Sequence, residues 1–217
     1  LRYVYGGDLI GNVWRFDFTA VTKDPAVLKI GEVKSPDGNP QPIISAPKIE
    51  FSANYFNRYF FVGTGRLLSL EDQGNSQQQT LYAFRDGTKS RAYGTESHET
   101  PLPTGTSFPI TRAKMSAVTN LLAGATADNA TPMGWYYDLT GRFTSAGKPA
   151  VTERIVLNLQ ANDGVVTWGG SILNDDPCNA SGTTSLYSAY YGSGQSVLTT
   201  IVGGQRSRIE WLDLSPG

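Results

Sequence analysis

The sequence predicts an all-β fold made of antiparallel, blade-like sheets of the β-propeller kind. Three observations support this prediction. Short runs of aromatic and β-branched residues alternate with polar residues at the period of a β-strand. Glycine is frequent, at 24 of the 217 residues, and it gathers beside these runs, where turns need it. A unit of strand, loop and strand recurs along the chain, which is typical of propeller blades.

The stretch YVYGGDLIGNVWRFDF (residues 3–18) predicts a β-hairpin. Residues 3–5 suit a half-buried strand, and residues 13–18 alternate between two faces. Glycine and asparagine tolerate the positive φ that hairpin turns require, and an aspartate in a turn can accept hydrogen bonds from its amides. The residues that we expect to form this structural motif are Gly7, Asp8, Gly11, Asn12, Trp14 and Asp17.

Two later units repeat the pattern. The second joins RYFFVGTG (58–65) to TLYAFRDG (80–87), and the third joins VVTWGGSIL (165–173) to SLYSAYYGSG (185–194). Propeller repeats of the WD type run to about 40–45 residues, and the spacing here is irregular, so either loop insertions are large or some blades escape recognition. We expect further strands at residues 43–51, 134–139, 153–159 and 207–214.

Residues 87–132 differ from the rest of the chain and are interpreted as an insertion. The first part is rich in Gly, Thr, Ser and Pro, which favours a loop. The segment TRAKMSAVTNLLAGA (111–125) then spaces its apolar residues in a loosely helical pattern. We therefore expect one short helix within this loop.

Charge and composition exclude some classes of function. The 18 Lys and Arg residues against 19 Asp and Glu residues give a net charge of −1, which offers no electrostatic footprint for nucleic acid. No apolar run is long enough to predict a membrane span. Charged residues are only 17% of the chain, as is common in exported β-proteins. Because the sequence shows no signal peptide, we expect an export signal upstream of Leu1.

Three polar features were considered as sites of chemistry. Asp175 and Asp176 could bind calcium or transfer protons, but a solvated turn before a proline is the favoured interpretation. His98, the sole histidine, lacks a G-x-S-x-G nucleophile elbow and is interpreted as a surface residue. Cys178 is the sole cysteine and has no CxxC or histidine partner, so neither a metal site nor a redox motif is predicted. We identify no catalytic residue.

Six motifs follow one another along the chain. They are YVYGGDLIGNVWRFDF (3–18), FVGTGRLL (61–68), QTLYAFRD (79–86), MGWYYDL (133–139), DDPCNASGTTSLYSAYYGSG (175–194) and RSRIEWLDL (206–214). In this order they resemble the C-terminal β-propeller of the PilC/PilY family, which are type IV pilus tip-associated adhesins and biogenesis factors. The resemblance extends over most of the chain.

The resemblance implies that residues 1–217 are the C-terminal portion of a quinoprotein-type propeller, beginning within a blade. It implies a calcium loop just upstream of Leu1, whose last ligand position coincides with Arg2, and an arginine cannot bind calcium. No cofactor is therefore identified within the chain itself. The resemblance also places a cysteine at Cys178, so any disulfide partner is expected outside the chain.

The function that the resemblance implies is non-enzymatic pilus assembly and adhesion, by protein–protein binding at the pilus tip or cell surface. The expected partners are pilins or minor pilins, other pilus assembly proteins and the surface of a host cell. The expected location is outside the cell, at the outer membrane or the pilus tip.

Two alternatives stay open. The Gly-Asp-x-x-Gly-Asn-x-Trp pattern also echoes the repeats of quinoprotein dehydrogenases, which use pyrroloquinoline quinone and calcium. A secreted lectin-like module would instead use exposed aromatic rings to bind sugars, although packing between blades explains the aromatic residues better. The residues concerned are Trp14, Trp135, Tyr136, Tyr137, Trp168, Tyr190 and Tyr191.

Overall fold

The computed structural model describes residues 2–19, 26–52, 57–123, 133–143, 150–173, 182–202 and 204–214. Over these residues the regular structure is β-strand, apart from 3₁₀ turns at Leu70–Asp72 and Arg112–Lys114. In chain order the strands are β1 (Tyr3–Gly7), β2 (Asn12–Asp17), β3 (Ala26–Glu32), β4 (Lys48–Phe51), β5 (Asn57–Gly63), β6 (Thr80–Thr88), β7 (Tyr93–Gly94), β8 (Thr100–Pro101), β9 (Ser116–Ala117), β10 (Gly134–Asp138), β11 (Arg142–Phe143), β12 (Val151–Thr152), β13 (Gln160–Asn162), β14 (Val165–Leu173), β15 (Gly182–Tyr190), β16 (Thr199–Val202), β17 (Gln205–Arg208) and β18 (Leu212–Asp213).

Three sheets carry the fold. The first has the strand order β1-β2-β3, the second β4-β5-β6-β10-β9 and the third β13-β14-β15-β18. Pairing within them is antiparallel, except between β9 and β10. The three repeated units lie in three different sheets, as the antiparallel neighbours β1–β2, β5–β6 and β14–β15. The predicted all-β, antiparallel fold class is confirmed. No helix in the described part of the chain is long and apolar enough to cross a membrane.

The second sheet is buried on both faces. Alternate residues of its interior strand β5 point to opposite sides, as the period of a strand requires. Tyr59 and Phe61 belong to an apolar core that includes Trp168 of the third sheet. Phe60 belongs to a second core, which includes Val13 of the first sheet. The sheets therefore pack face to face through aromatic side chains, in the manner of neighbouring blades.

Of the short helix expected within residues 111–125, the described part (residues 111–123) contains only the 3₁₀ turn at Arg112–Lys114. After one 3₁₀ turn, β9 pairs with β10 in the second sheet. Val118 then donates its backbone N–H to the carbonyl of Tyr136 at 2.8 Å. Pairing with the sheet satisfies these backbone groups, so Val118 and Leu121 enter the core without a helix.

The prediction of a strand at residues 153–159 is wrong. Glu153 donates its N–H to the carbonyl of Gly141, Arg154 to that of Ser171 and Ile155 to that of Thr64. Consecutive residues thus bond to different segments, and no continuous ladder can form.

The other predicted strands are confirmed in whole or in part. β10 confirms the strand at 134–139. Only Lys48–Phe51 of 43–51 is a strand, because Pro47 has no N–H to donate. Residues 207–214 divide between β17, which pairs with β16, and β18, which pairs with β15.

Candidate functional site

Asp8 closes the turn of the opening hairpin. Its Oδ1 accepts the backbone N–H groups of Ile10 at 3.0 Å and Asn12 at 2.9 Å. Its Oδ2 accepts the Asn12 side-chain amide at 2.9 Å and the Trp14 indole N–H at 3.1 Å. Burial alone would raise the pKa of Asp8, but these hydrogen bonds outweigh it and lower the pKa. The Gly-Asp-x-x-Gly-Asn-x-Trp pattern is therefore explained by the structure of a turn.

Two glycines of the motif permit close approach by neighbouring segments. Gly11 has a positive φ of +77°, and a Cβ there would collide with the carbonyl oxygen of Val33. A Cβ on Gly7 would lie 2.5 Å from Cγ2 of Ile43. Both positions exclude a side chain, and Gly11 also needs the backbone conformation that glycine favours.

Arg15 on β2 joins a buried polar network. Its Nη1 lies 2.8 and 2.9 Å from the two carboxylate oxygens of Asp86, and its Nη2 donates to Oε1 of Glu99 at 2.7 Å. Asp86 also accepts the hydroxyl of Tyr5 at 2.7 Å and the N–H of Tyr93 at 3.1 Å. Burial alone would lower the pKa of Arg15, but Asp86 outweighs it and raises that pKa, so the guanidinium stays charged.

Asp17, two residues further along β2, meets a turn that carries His98 and Glu99. Oδ2 of Asp17 lies 2.9 Å from Nε2 of His98, and Oδ1 accepts the N–H of Thr19 at 2.7 Å. Burial would raise the pKa of Asp17, but the hydrogen bonds from Thr19 and His98 outweigh it and lower the pKa. One ligand atom each from Asp17, His98 and Glu99 lies within 4.8 Å of the others.

A cavity of about 310 Å³ opens onto this cluster. Its polar wall is formed by Arg15, the cluster itself and Glu96. Its apolar wall is formed by β3, where Val27 is exposed. We call this combination of cluster and cavity the β2 pocket. Its donor set, one imidazole and two carboxylates beside a guanidinium, can bind a cation or a small polar group.

Another buried carboxyl, that of Glu153, lies against the third sheet. Glu153 is fully buried and accepts the hydroxyl of Tyr187 at 2.9 Å and the N–H of Gly141 at 3.0 Å. A side chain at Gly170 would collide with this carboxyl. Burial raises the pKa of Glu153, and the hydrogen bonds from Tyr187 and Gly141 oppose that rise.

The loop at residues 66–75 is fixed from beneath by two buried side chains. Asp72 accepts the N–H groups of Leu68 at 2.9 Å and Ser69 at 3.1 Å. The Arg154 guanidinium donates to backbone carbonyls of the loop, including that of Asp72 and, at 3.2 Å, that of Asn75. Leu68 and Leu70 nevertheless point outward, with 64% and 79% of their surface exposed. We call this segment the leucine loop.

The residues present do not fit a calcium ligand set at Arg2. Its Nε donates to the hydroxyl of Thr19 at 2.9 Å and its Nη1 to the carbonyl of Ser90 at 3.1 Å. A hydrogen-bonded guanidinium at this position repels a cation.

The remaining residues singled out in the sequence lie partly inside and partly outside the described structure. Asp175, Asp176 and Cys178 lie outside the described residues. His98, which was expected at the surface, is half-buried, with its side chain one-third exposed and paired with Asp17. Sequence reasoning missed the roles of Glu99 and of Asp86 in FRDG, because their partners on β2 lie 71 to 84 residues away in the chain.

Comparison with known proteins gives a consistent result. No protein-family model matches the chain. A type IV pilus biogenesis factor PilY1 homolog of Xylella fastidiosa is 28% identical over 183 residues, covering 83% of this chain and 14% of the relative. Type IV pilus biogenesis factor PilY1 of Pseudomonas aeruginosa is 25% identical over a 254-residue alignment, covering 95% of this chain and 21% of the relative. The crystal structure of the P. aeruginosa PilY1 C-terminal domain matches 99% of this chain and 52% of that chain, with a TM-score of 0.67 and 20% identity.

The chain is thus similar in sequence to type IV pilus biogenesis factor PilY1 and shares the fold of the PilY1 C-terminal domain. This confirms the resemblance read from the ordered motifs, and the structural match to the PilY1 C-terminal domain confirms the fold. The chain spans between about a seventh and a fifth of the length of these two PilY1 relatives.

Proposed function

We propose that this chain serves type IV pilus biogenesis and adhesion as a non-enzymatic module, exported to the cell surface or pilus tip. The observation that carries the proposal is the match of nearly the whole chain to the PilY1 C-terminal domain. The relatives named type IV pilus biogenesis factors support the same role. The partners that we propose are pilins or minor pilins and other pilus assembly proteins.

The leucine loop is the surface that we propose for contact with these partners. Leu68 and Leu70 are large, apolar and exposed, and exposed apolar side chains that cluster on a soluble domain commonly mark protein contacts. Asp72 and Arg154 hold the backbone of the loop in place, so little conformational entropy is lost when a partner binds.

The geometry favours this proposal over the two alternatives. The pattern that suggested a quinoprotein is occupied by hydrogen bonds within the hairpin, where Asp8 holds Trp14. Most of the aromatic residues considered for a lectin face lie in the core and cannot stack on a sugar. These core residues are Trp135, Tyr137, Trp168 and Tyr191.

A deletion and complementation experiment tests the proposal. Surface pili are counted by electron microscopy in the source strain with the gene deleted, then after complementation with the full-length gene or with a gene lacking the region of residues 1–217. We expect pili to be lost and to return only with the full-length gene. Unchanged piliation and surface motility in the deletion strain would overturn the proposal.

A further inference from the structure

We propose that Asp17, His98 and Glu99 in the β2 pocket bind one divalent transition-metal ion of the zinc class. Zinc ligands lie about 2.0–2.2 Å from the metal, so two ligands of one ion are separated by roughly 3–3.5 Å. Nε2 of His98 and Oδ2 of Asp17 are already 2.9 Å apart, and Glu99 brings a carboxylate oxygen within 4.8 Å of both. Small side-chain movements would place all three around one ion.

The chemistry of the donor set selects the class of metal. One imidazole nitrogen with two carboxylate oxygens suits zinc and its neighbours in the first transition series. Calcium and magnesium prefer oxygen ligands and gain little from an imidazole. Binding would replace the hydrogen bond between His98 and Asp17, and any proton on Nε2 would pass to solvent.

The ligands are held by the fold. Asp17 ends β2, where its Oδ1 is fixed by the N–H of Thr19. Glu99 is fixed at Oε1 by Arg15 and at Oε2 by the N–H of Glu96 at 3.0 Å. Each carboxylate oxygen has two lone pairs, so these hydrogen bonds leave acceptor capacity for a metal. Partners that orient the ligands in this way normally strengthen metal binding.

The surroundings of the cluster point separately to a ligand. Nε of Arg15 is unpartnered within the described structure, and Arg15 is 99% buried while lining the same cavity. A buried N–H without a partner at the wall of a cavity is a position where a bound water or anion would gain a hydrogen bond. Arg15 is the sole Lys or Arg among the lining residues, against three carboxylates from Asp17, Glu96 and Glu99, so the balance of charge favours a cation.

Because His98 is the sole histidine of the chain, its ring resonances report on the site without ambiguity. The experiment is a zinc chloride titration of the full 217-residue chain, free of any polyhistidine tag, followed by NMR of the imidazole and by calorimetry. We expect the His98 resonances to shift and saturate at one equivalent, whereas magnesium and calcium chloride leave them in place. His98 resonances that do not move at one equivalent of zinc would overturn the proposal.

Three variants assign the ligands. We expect His98→Gln, Asp17→Asn and Glu99→Gln each to weaken zinc binding at least tenfold. The matched control is Asp37→Asn, which removes an exposed carboxylate remote from the β2 pocket and should leave the affinity unchanged. Equal affinity in Asp17→Asn and in the unaltered chain would also overturn the proposal. If a variant fails to fold, the titration of the unaltered chain still decides the question.

Discussion

Arg15 and Asp86 form a buried ion pair, in which one guanidinium nitrogen lies 2.8 and 2.9 Å from the two carboxylate oxygens. The partners are 71 residues apart and belong to different sheets, since Arg15 lies on β2 and Asp86 on β6. Their side chains are 1% and 0% exposed. The contact between the first and second sheets therefore contains a desolvated charge pair, in which each partner depends on the other.

The first prediction concerns this pair. Replacing Asp86 by Ala leaves the Arg15 charge buried, so we expect the free energy of unfolding in urea to fall by about 3–5 kcal/mol. Glu32→Ala is the control, because its ion pairs with Lys29 and Lys34 are partly exposed and should cost about 0–1 kcal/mol. A loss below about 1 kcal/mol in Asp86→Ala would show that the pair does not join the sheets energetically.

The second prediction concerns the hairpin turn. Asp8→Ala removes the acceptor of four hydrogen bonds, and we expect a loss of about 1–2 kcal/mol in the free energy of unfolding. Asp8→Asn keeps an oxygen for two backbone N–H groups but turns an amide toward Trp14, so its loss should be intermediate.

The same carboxylate gives a pH dependence. The pKa of Asp8 is lowered in the folded state, so its contribution is complete above the ordinary carboxyl pKa of 3.8 and is lost as the pH falls through the lowered value. The difference in stability between the unaltered chain and Asp8→Ala should therefore shrink below about pH 4. A difference that stays constant down to pH 2 would contradict this assignment.

The third prediction compares two glycines, both with positive φ. Gly38 has φ +85° and open space around it, so Gly38→Ala should cost about 1 kcal/mol through backbone strain alone. At Gly11 the added Cβ also meets the carbonyl of Val33, so Gly11→Ala should cost about 3 kcal/mol or more. Urea unfolding of the two variants measures the difference. Equal losses in the free energy of unfolding would mean that the close approach at Gly11 does not destabilise the Ala variant.

The fourth prediction concerns Glu153, whose pKa is raised by burial in the folded state. The folded chain then holds this proton more tightly than the unfolded chain, so the contribution is complete below the ordinary carboxyl pKa of 4.5 and is lost as the pH rises through the raised value. Glu153→Gln removes this titration and can still accept a hydrogen bond from Tyr187. We expect the variant to gain stability relative to the unaltered chain as the pH rises above about 4.5, as measured by urea unfolding across pH. A gap that does not change with pH would contradict the raised pKa.

The sequence predicts well where structure is local. The alternation of residues 13–18 separates the two faces of β2, and the glycine and asparagine beside it predict a turn. It does not show which face is buried, because Arg15 and Asp17 lie on the buried face while the aromatic residues of the other face are half-buried or exposed. The repeated units were recognisable for the same reason, because each is a hairpin whose two strands pair directly.

The sequence predicts poorly where a segment is held by distant partners. Residues 153–155 look like a strand, but three different segments take up their N–H groups. The β2 pocket joins residues 81 and 84 positions apart, Asp17 with His98 and Arg15 with Glu99, and no local pattern signals such contacts. The sequence does show a single histidine between Ser97 and Glu99. Its role becomes clear only from the structure, where it pairs with Asp17 of β2.

The most direct test of the central claim is a count of surface pili in the source strain carrying Leu68→Ser with Leu70→Ser in the otherwise unaltered gene. The matched control is Ile201→Ser, which removes an apolar side chain that is 70% exposed in a different segment. Because exposed leucines add little to stability, we expect normal protein levels in both strains, with a marked loss of pili only in the double variant. Full piliation in the double variant would contradict the role of the leucine loop in binding pilus proteins.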